Sequence, residues 1–104
     1  MPLQGKHGAG CMRNGFDDFI MGCMCSIIRK HQPDLLMVHN CWMDSTRHRY
    51  GVFNDYTREG LDLTDMWLGQ VIDALEDAGI YDETNFVLVS DHGQRDFARR
   101  MKPN

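Results

Sequence analysis

The chain has no long apolar run. Nowhere do about 18 consecutive apolar residues occur, so no transmembrane helix is expected. It also lacks a basic excess: 11 Lys and Arg stand against 15 Asp and Glu, a formal net charge of -4. No basic surface therefore argues for nucleic acid or an anionic membrane as partner. An acidic balance still permits an anionic substrate held at a metal. Residues Met1 to His7 contain no apolar core, so no secretory leader is expected there, and the compartment of a longer parent is left open. CxxC pairs are missing as well. Cys11, Cys23, Cys25 and Cys41 stand apart, and Cys23 and Cys25 lie two apart in a helical stretch, pointing different ways. Thiols in a reducing compartment are the expectation, which favours the cytoplasm. Gly5-Lys6-His7 lacks both the spacing and the following Ser or Thr of a phosphate loop.

What is present suits one small domain. The chain of 104 residues is 42% apolar and 25% charged, ordinary values for a soluble protein. Residues 1–13 are Gly-rich and without periodicity, 14–95 read as the structured core, and 96–104 as a tail. The cationic residues Arg95, Arg99, Arg100 and Lys102, from the end of the core into the tail, are read as solvated.

The first helix is expected from a cap at Asn14, with Asp17 and Asp18 offsetting the dipole in its first turn. Phe16, Phe19, Ile20, Cys23, Ile27 and Ile28 fall on one face of it, and Pro33 closes it. A longer helix is expected from about Asp55 to Ala78, with Leu61, Leu68, Val71, Ile72 and Leu75 as its buried stripe and Trp67 beside it. Gly79 is its natural stop, and Gly60 and Gly69 within it suggest close packing. Leu35–Val38 and Phe86–Val89 are short apolar runs without alternation, as in parallel strands buried on both faces.

Helix, strand, helix, strand in that order predicts an α/β fold, an αβαβ unit with a right-handed crossover and both helices on one face of a parallel sheet. Two such strands with one apolar face uncovered do not make a finished domain. Either a larger parent or an oligomer through that face is therefore expected.

Two polar clusters follow the two predicted strands: Asp44-Ser45-Thr46-Arg47-His48-Arg49-Tyr50-Gly51 and Ser90-Asp91-His92-Gly93. Each sets one carboxylate and one imidazole at the strand edge where open α/β sheets place ligands. Carboxylate oxygen and neutral imidazole suit zinc, and with more oxygen ligands manganese or magnesium. Ser45, Thr46 and Ser90 are hydroxyls nearby, read as residues bonding local backbone. His39 is read as a satisfied buried histidine, and His7 and His31 as surface residues.

These two motifs in this order, with Asp65 and Leu68-Gly69 on the helix between them, resemble the alkaline phosphatase superfamily. The nearest branch is the type I phosphodiesterase and nucleotide pyrophosphatase group, and the resemblance spans roughly residues 16–95. It implies an alkaline-phosphatase-like parallel sheet sandwiched by helices and a site with two divalent metals, zinc first. Asp44 and His48 would be ligands of one metal, Asp91 and His92 of the other. The nucleophile and the remaining ligands fall outside this chain. The implied chemistry is in-line displacement at a phosphate ester between two metals about 3.5–4 Å apart. Many members carry Gly where Arg47 stands, and Arg47 is read as facing solvent. Sulfatases, phosphonate hydrolases and phosphosugar mutases share the superfamily and are alternatives. A small metal-binding or oligomerising protein without catalysis is an alternative from another class. On any of these readings the isolated chain, with two ligands per metal, is expected to have negligible turnover.

Overall fold

The structure is a computed structural model that describes residues 15–96. Three α-helices carry it: α1 Gly15–His31, α2 Trp42–Tyr50 and α3 Asp55–Asp77, followed by a 3-10 turn at Tyr81–Glu83. Asn14, expected as the cap of α1, lies outside the described residues.

The predicted sheet is absent: among the described residues there is no strand. Both predicted strands are without regular secondary structure. Leu35 and Met37 are 76% and 81% exposed, and Val87, Leu88 and Val89 are 76%, 73% and 82% exposed. The physical reason is one of closure. A helix satisfies its hydrogen bonds within itself, whereas a strand needs a neighbour, and two short strands alone are marginal in water. The α/β reading is therefore corrected to a helical one.

α1 and α3 form the core. Met21, Cys25 and Ile28 of α1 pack with Trp67, Val71, Ala74 and Leu75 of α3, all buried, at the i, i+4, i+7 spacing that keeps residues on one face. The buried stripe of α1 thus differs from the expected one. Phe16 is 73% exposed and Ile27 is exposed too, with Ile28 alone retained as buried. α1 is apolar around much of its circumference, and a single neighbouring helix buries only one side of it.

Polar contacts fix the register of the pair. The indole Nε1–H of Trp67 donates to Asp18 Oδ1 at 2.9 Å inside the core. Arg29 donates to Asp77 Oδ2 from Nε and from its terminal nitrogen, at 3.0 and 2.9 Å. Gln32 reaches the carbonyl of Ala78 at 3.4 Å. Partners separated by 49, 48 and 46 residues in order along both helices mean that α1 and α3 run parallel.

The ends of α3 follow the sequence. Asn54 caps its start, accepting from Thr57 N–H at 2.9 Å. At its finish Gly79 has φ +72°, Gly79 N–H donates to Glu76 O and Ile80 N–H to Leu75 O. That is the paired bonding of a Schellman stop, which needs the left-handed residue glycine provides. α1 ends at His31, ahead of Pro33, with Gln32 at φ 46°.

α2 packs across α3. Trp42 meets Trp67 edge to face at 6.5 Å between centroids. A Cβ on Gly60 would stand 3.2 Å from both Met43 Sδ and Trp42 Nε1, so glycine permits this crossing. At Gly69 nothing lies within 4 Å of the same position, so close packing explains only the first of the two glycines. Cys23, Cys25 and Cys41 are thiols rather than disulfides, and Cys11 lies outside the described residues. Among the described residues no helix is long and apolar enough to cross a membrane.

Candidate metal centre

α2 sets Asp44 and His48 one turn apart, the i, i+4 spacing at which side chains on a helix meet. His48 Nε2 lies 3.3 Å from Asp44 Oδ1. The start of this helix is tied by polar contacts. Asn40 Oδ1 accepts from Trp42 N–H at 2.9 Å, and Asp17 Oδ1, from α1, accepts from Cys41 N–H at 3.2 Å. Burial pushes the Asp17 carboxyl above its ordinary 3.8, and the bond from Cys41 pulls the other way.

The second motif comes to the first across the molecule. His92 Nε2 stands 3.7 Å from Asp44 Oδ1 and 3.8 Å from Asp91 Oδ2. His92 Nδ1 is 2.8 Å from the carbonyl of Gly93. A carbonyl only accepts, so Nδ1 carries the proton and Nε2 is the nitrogen turned toward the carboxylates. That contact with the Gly93 carbonyl, followed by the charge of Asp91, raises the His92 pKa above its ordinary 6.5.

All four sequence-predicted ligands therefore meet in one chain of contacts, His48–Asp44–His92–Asp91, with Asp44 at its centre. Their side chains are between 47% and 76% exposed, so the centre is open to solvent. Imidazole nitrogen and carboxylate oxygen are donors that zinc takes, and the backbone bond on His92 is the outer contact that typically orients a ligating imidazole. By chemistry the donors fit a divalent metal. Among the described residues, however, no group of three or more His, Cys, Asp or Glu side chains is arranged to hold a metal ion. The close approaches are pairwise.

Ser90 Oγ donates to the carbonyl of His92 at 2.7 Å, and Thr46 is buried at 4% exposure on α2. Arg47, expected to face solvent, is half-buried, with its Nε shielded and without a partner. His39, expected to be buried, is exposed.

Two residues that the sequence reading passed over fasten the motifs together. Gln94 Nε2–H donates to Asp44 Oδ1 at 2.9 Å. Asp96 Oδ1 accepts from Val52 N–H at 2.7 Å. Asp96 fits there because residue 51 is glycine: φ is +91°, and a Cβ would stand 3.0 Å from Asp96 Oδ1. A lone Gln or Asp in a loop carries no periodicity, and only their position just after Ser90-Asp91-His92-Gly93 hinted at them.

No solved structure matches the chain. Among curated proteins, venom phosphodiesterase 2 and venom phosphodiesterase 1 of Crotalus adamanteus are each 27% identical to it over 67 residues. That stretch is 64% of this chain and 8% of either relative, so the chain matches only a small part of these proteins. Residues 12–103, which include both motifs, match the family described as type I phosphodiesterase / nucleotide pyrophosphatase. With that match over most of its length, the chain belongs to the type I phosphodiesterase / nucleotide pyrophosphatase family.

Proposed function

We propose that this chain is part of a metal-dependent phosphate-ester hydrolase, with Asp44, His48, Asp91 and His92 as metal ligands. The observation that carries the reading is the meeting of Asp44 with both His48 and His92, at 3.3 and 3.7 Å. Nothing in local geometry requires a residue 48 positions away to reach Asp44, and family membership supplies a reason for it. The substrate class is a small-molecule phosphate ester, phosphodiester before phosphomonoester.

Bound divalent metal would supply Lewis acidity at the phosphoryl oxygens and favour the ionised form of an attacking hydroxyl. Within this chain the protein's share is orientation. α2 holds one carboxylate–imidazole pair on a helical face, and the bond from His92 Nδ1 to Gly93 directs the second imidazole. The nucleophile is assigned to another part of the complete protein, since the Ser90 hydroxyl is bonded to the carbonyl of His92 and Thr46 is buried. The 104 residues alone are expected to bind zinc weakly and to turn over no ester.

Zinc affinity of the wild-type chain, Asp44→Ala and His92→Ala, read by competition with a chromophoric chelator, tests the ligands. A loss of tenfold or more in both variants is expected, and equal affinity in all three would overturn the assignment. In the complete protein, phosphodiesters should be turned over faster than sulfate esters; the reverse order would move the protein to another branch.

A further inference from the structure

The contacts around Asp44 do more than gather ligands. Asp44 Oδ1 is approached by His48, His92 and Gln94, and the Gln94 contact, at 2.9 Å, is the shortest of the three. An ionised carboxylate only accepts, so the side-chain amide of Gln94 must present its nitrogen to Asp44. In that orientation its Oε1 is buried with no partner. Leaving a buried acceptor unsatisfied carries a desolvation penalty, so the amide is held against its own preference by the charge it faces. Two residues further, Asp96 anchors the same segment to Val52 N–H, at a glycine that leaves room for it.

We propose that Gln94 is a positioning residue for Asp44, and that Asp96 anchors the segment carrying it. Together they bring the second ligand pair onto the first. Gln94 touches no substrate in this proposal. It occupies one edge of the Asp44 carboxylate and so fixes the direction of the other oxygen. This rests on the reading of Asp44 and His92 as metal ligands, and it adds that their juxtaposition is enforced from position 94. Such outer contacts to a ligand typically change metal affinity by about 10–100-fold.

The test separates the hydrogen bond from packing. Gln94→Met keeps the length of the side chain and removes the donor; Gln94→Ala removes both. Zinc affinity of each is measured in the 104-residue chain beside Asp44→Ala and His92→Ala, with melting temperatures taken without metal. Both Gln94 variants are expected to weaken zinc by about 10–100-fold, while Gln94→Met melts as the wild type does. Wild-type affinity in Gln94→Met, with loss in Asp44→Ala and His92→Ala, would overturn this inference and leave the ligand assignment standing. Unchanged affinity in all four variants would remove the ligand assignment and the inference with it. A metal-free readout decides the matter even if zinc binds too weakly to titrate. The side-chain amide protons of Gln94 should show nuclear Overhauser contacts to α2, and their absence would overturn the proposal.

Discussion

Asp17 sits in the first turn of α1, where a negative charge suits the helix dipole, yet its burial opposes that charge. Its pKa is raised above the unfolded 3.8, so the native state binds this proton more tightly than the unfolded chain does. The stabilising contribution is full below pH 3.8 and is lost as pH rises through the raised value. Asp17→Asn keeps an oxygen to accept from Cys41 N–H and removes the ionisation. It should raise the melting temperature at pH 7 and flatten the fall in stability above pH 3.8. A lower melting temperature at pH 7 would mean that the dipole outweighs desolvation here. At this scale the sequence was legible where chemistry repeats in a pattern. Asp44, His48, Asp91 and His92 stand in two motifs and come into contact. Gln94 and Asp96 stand in none, and their roles depend on a fold-back that no local signal encodes.

Among the elements, α3 was the most readable, because its signals are local: a long apolar period and a glycine stop. α2 was not. No side chain of its N-cap residue bonds its first turn and no apolar stripe runs along it, so it owes its form to packing on α3. The face of α1 was misjudged because several of its stripes are apolar, and only the position of α3 selects among them. The glycines of α3 offer a paired prediction. Gly69→Ala meets empty space and should stabilise by roughly 0.5–1 kcal/mol in urea denaturation, the helix-interior advantage of alanine. Gly60→Ala gains the same propensity but presses Met43 and Trp42 at 3.2 Å. It should fall short of Gly69→Ala, and equal gains at the two sites would show that α2 is not held against α3 as described.

On the scale of the whole molecule, the most exposed apolar side chains among the described residues lie on the two apolar runs outside the helices, apart from Phe16 and the loop residue Phe53. This is where the fold class departed from its expectation. Leu35–Val38 and Phe86–Val89 were expected as buried parallel strands, but a strand needs a ladder, and among the described residues there is none. A short β-prone apolar run without proline or charge favours self-association when exposed. The isolated chain should therefore aggregate with rising concentration. Val87→Lys together with Val89→Lys should suppress this in light scattering and leave the helical circular dichroism unchanged. Persistent aggregation in that variant would locate the sticky surface elsewhere, with Phe16 and Ile27 on α1 next in line.

The parallel course of α1 and α3 has a kinetic consequence. Antiparallel helices joined by a short turn begin to touch as soon as the turn forms. Here the partners Asp18–Trp67, Arg29–Asp77 and Gln32–Ala78 are separated by 49, 48 and 46 residues. No part of that seam forms before nearly half the chain has looped back, at an entropic cost of roughly 3 kcal/mol beyond the constant term. The interior contacts are thus far apart in sequence although the secondary structure is local. Helix formation in isolation takes about a microsecond or less. Consolidation of the Trp67 environment should lag well behind it, at rates characteristic of sheet proteins rather than of helical bundles.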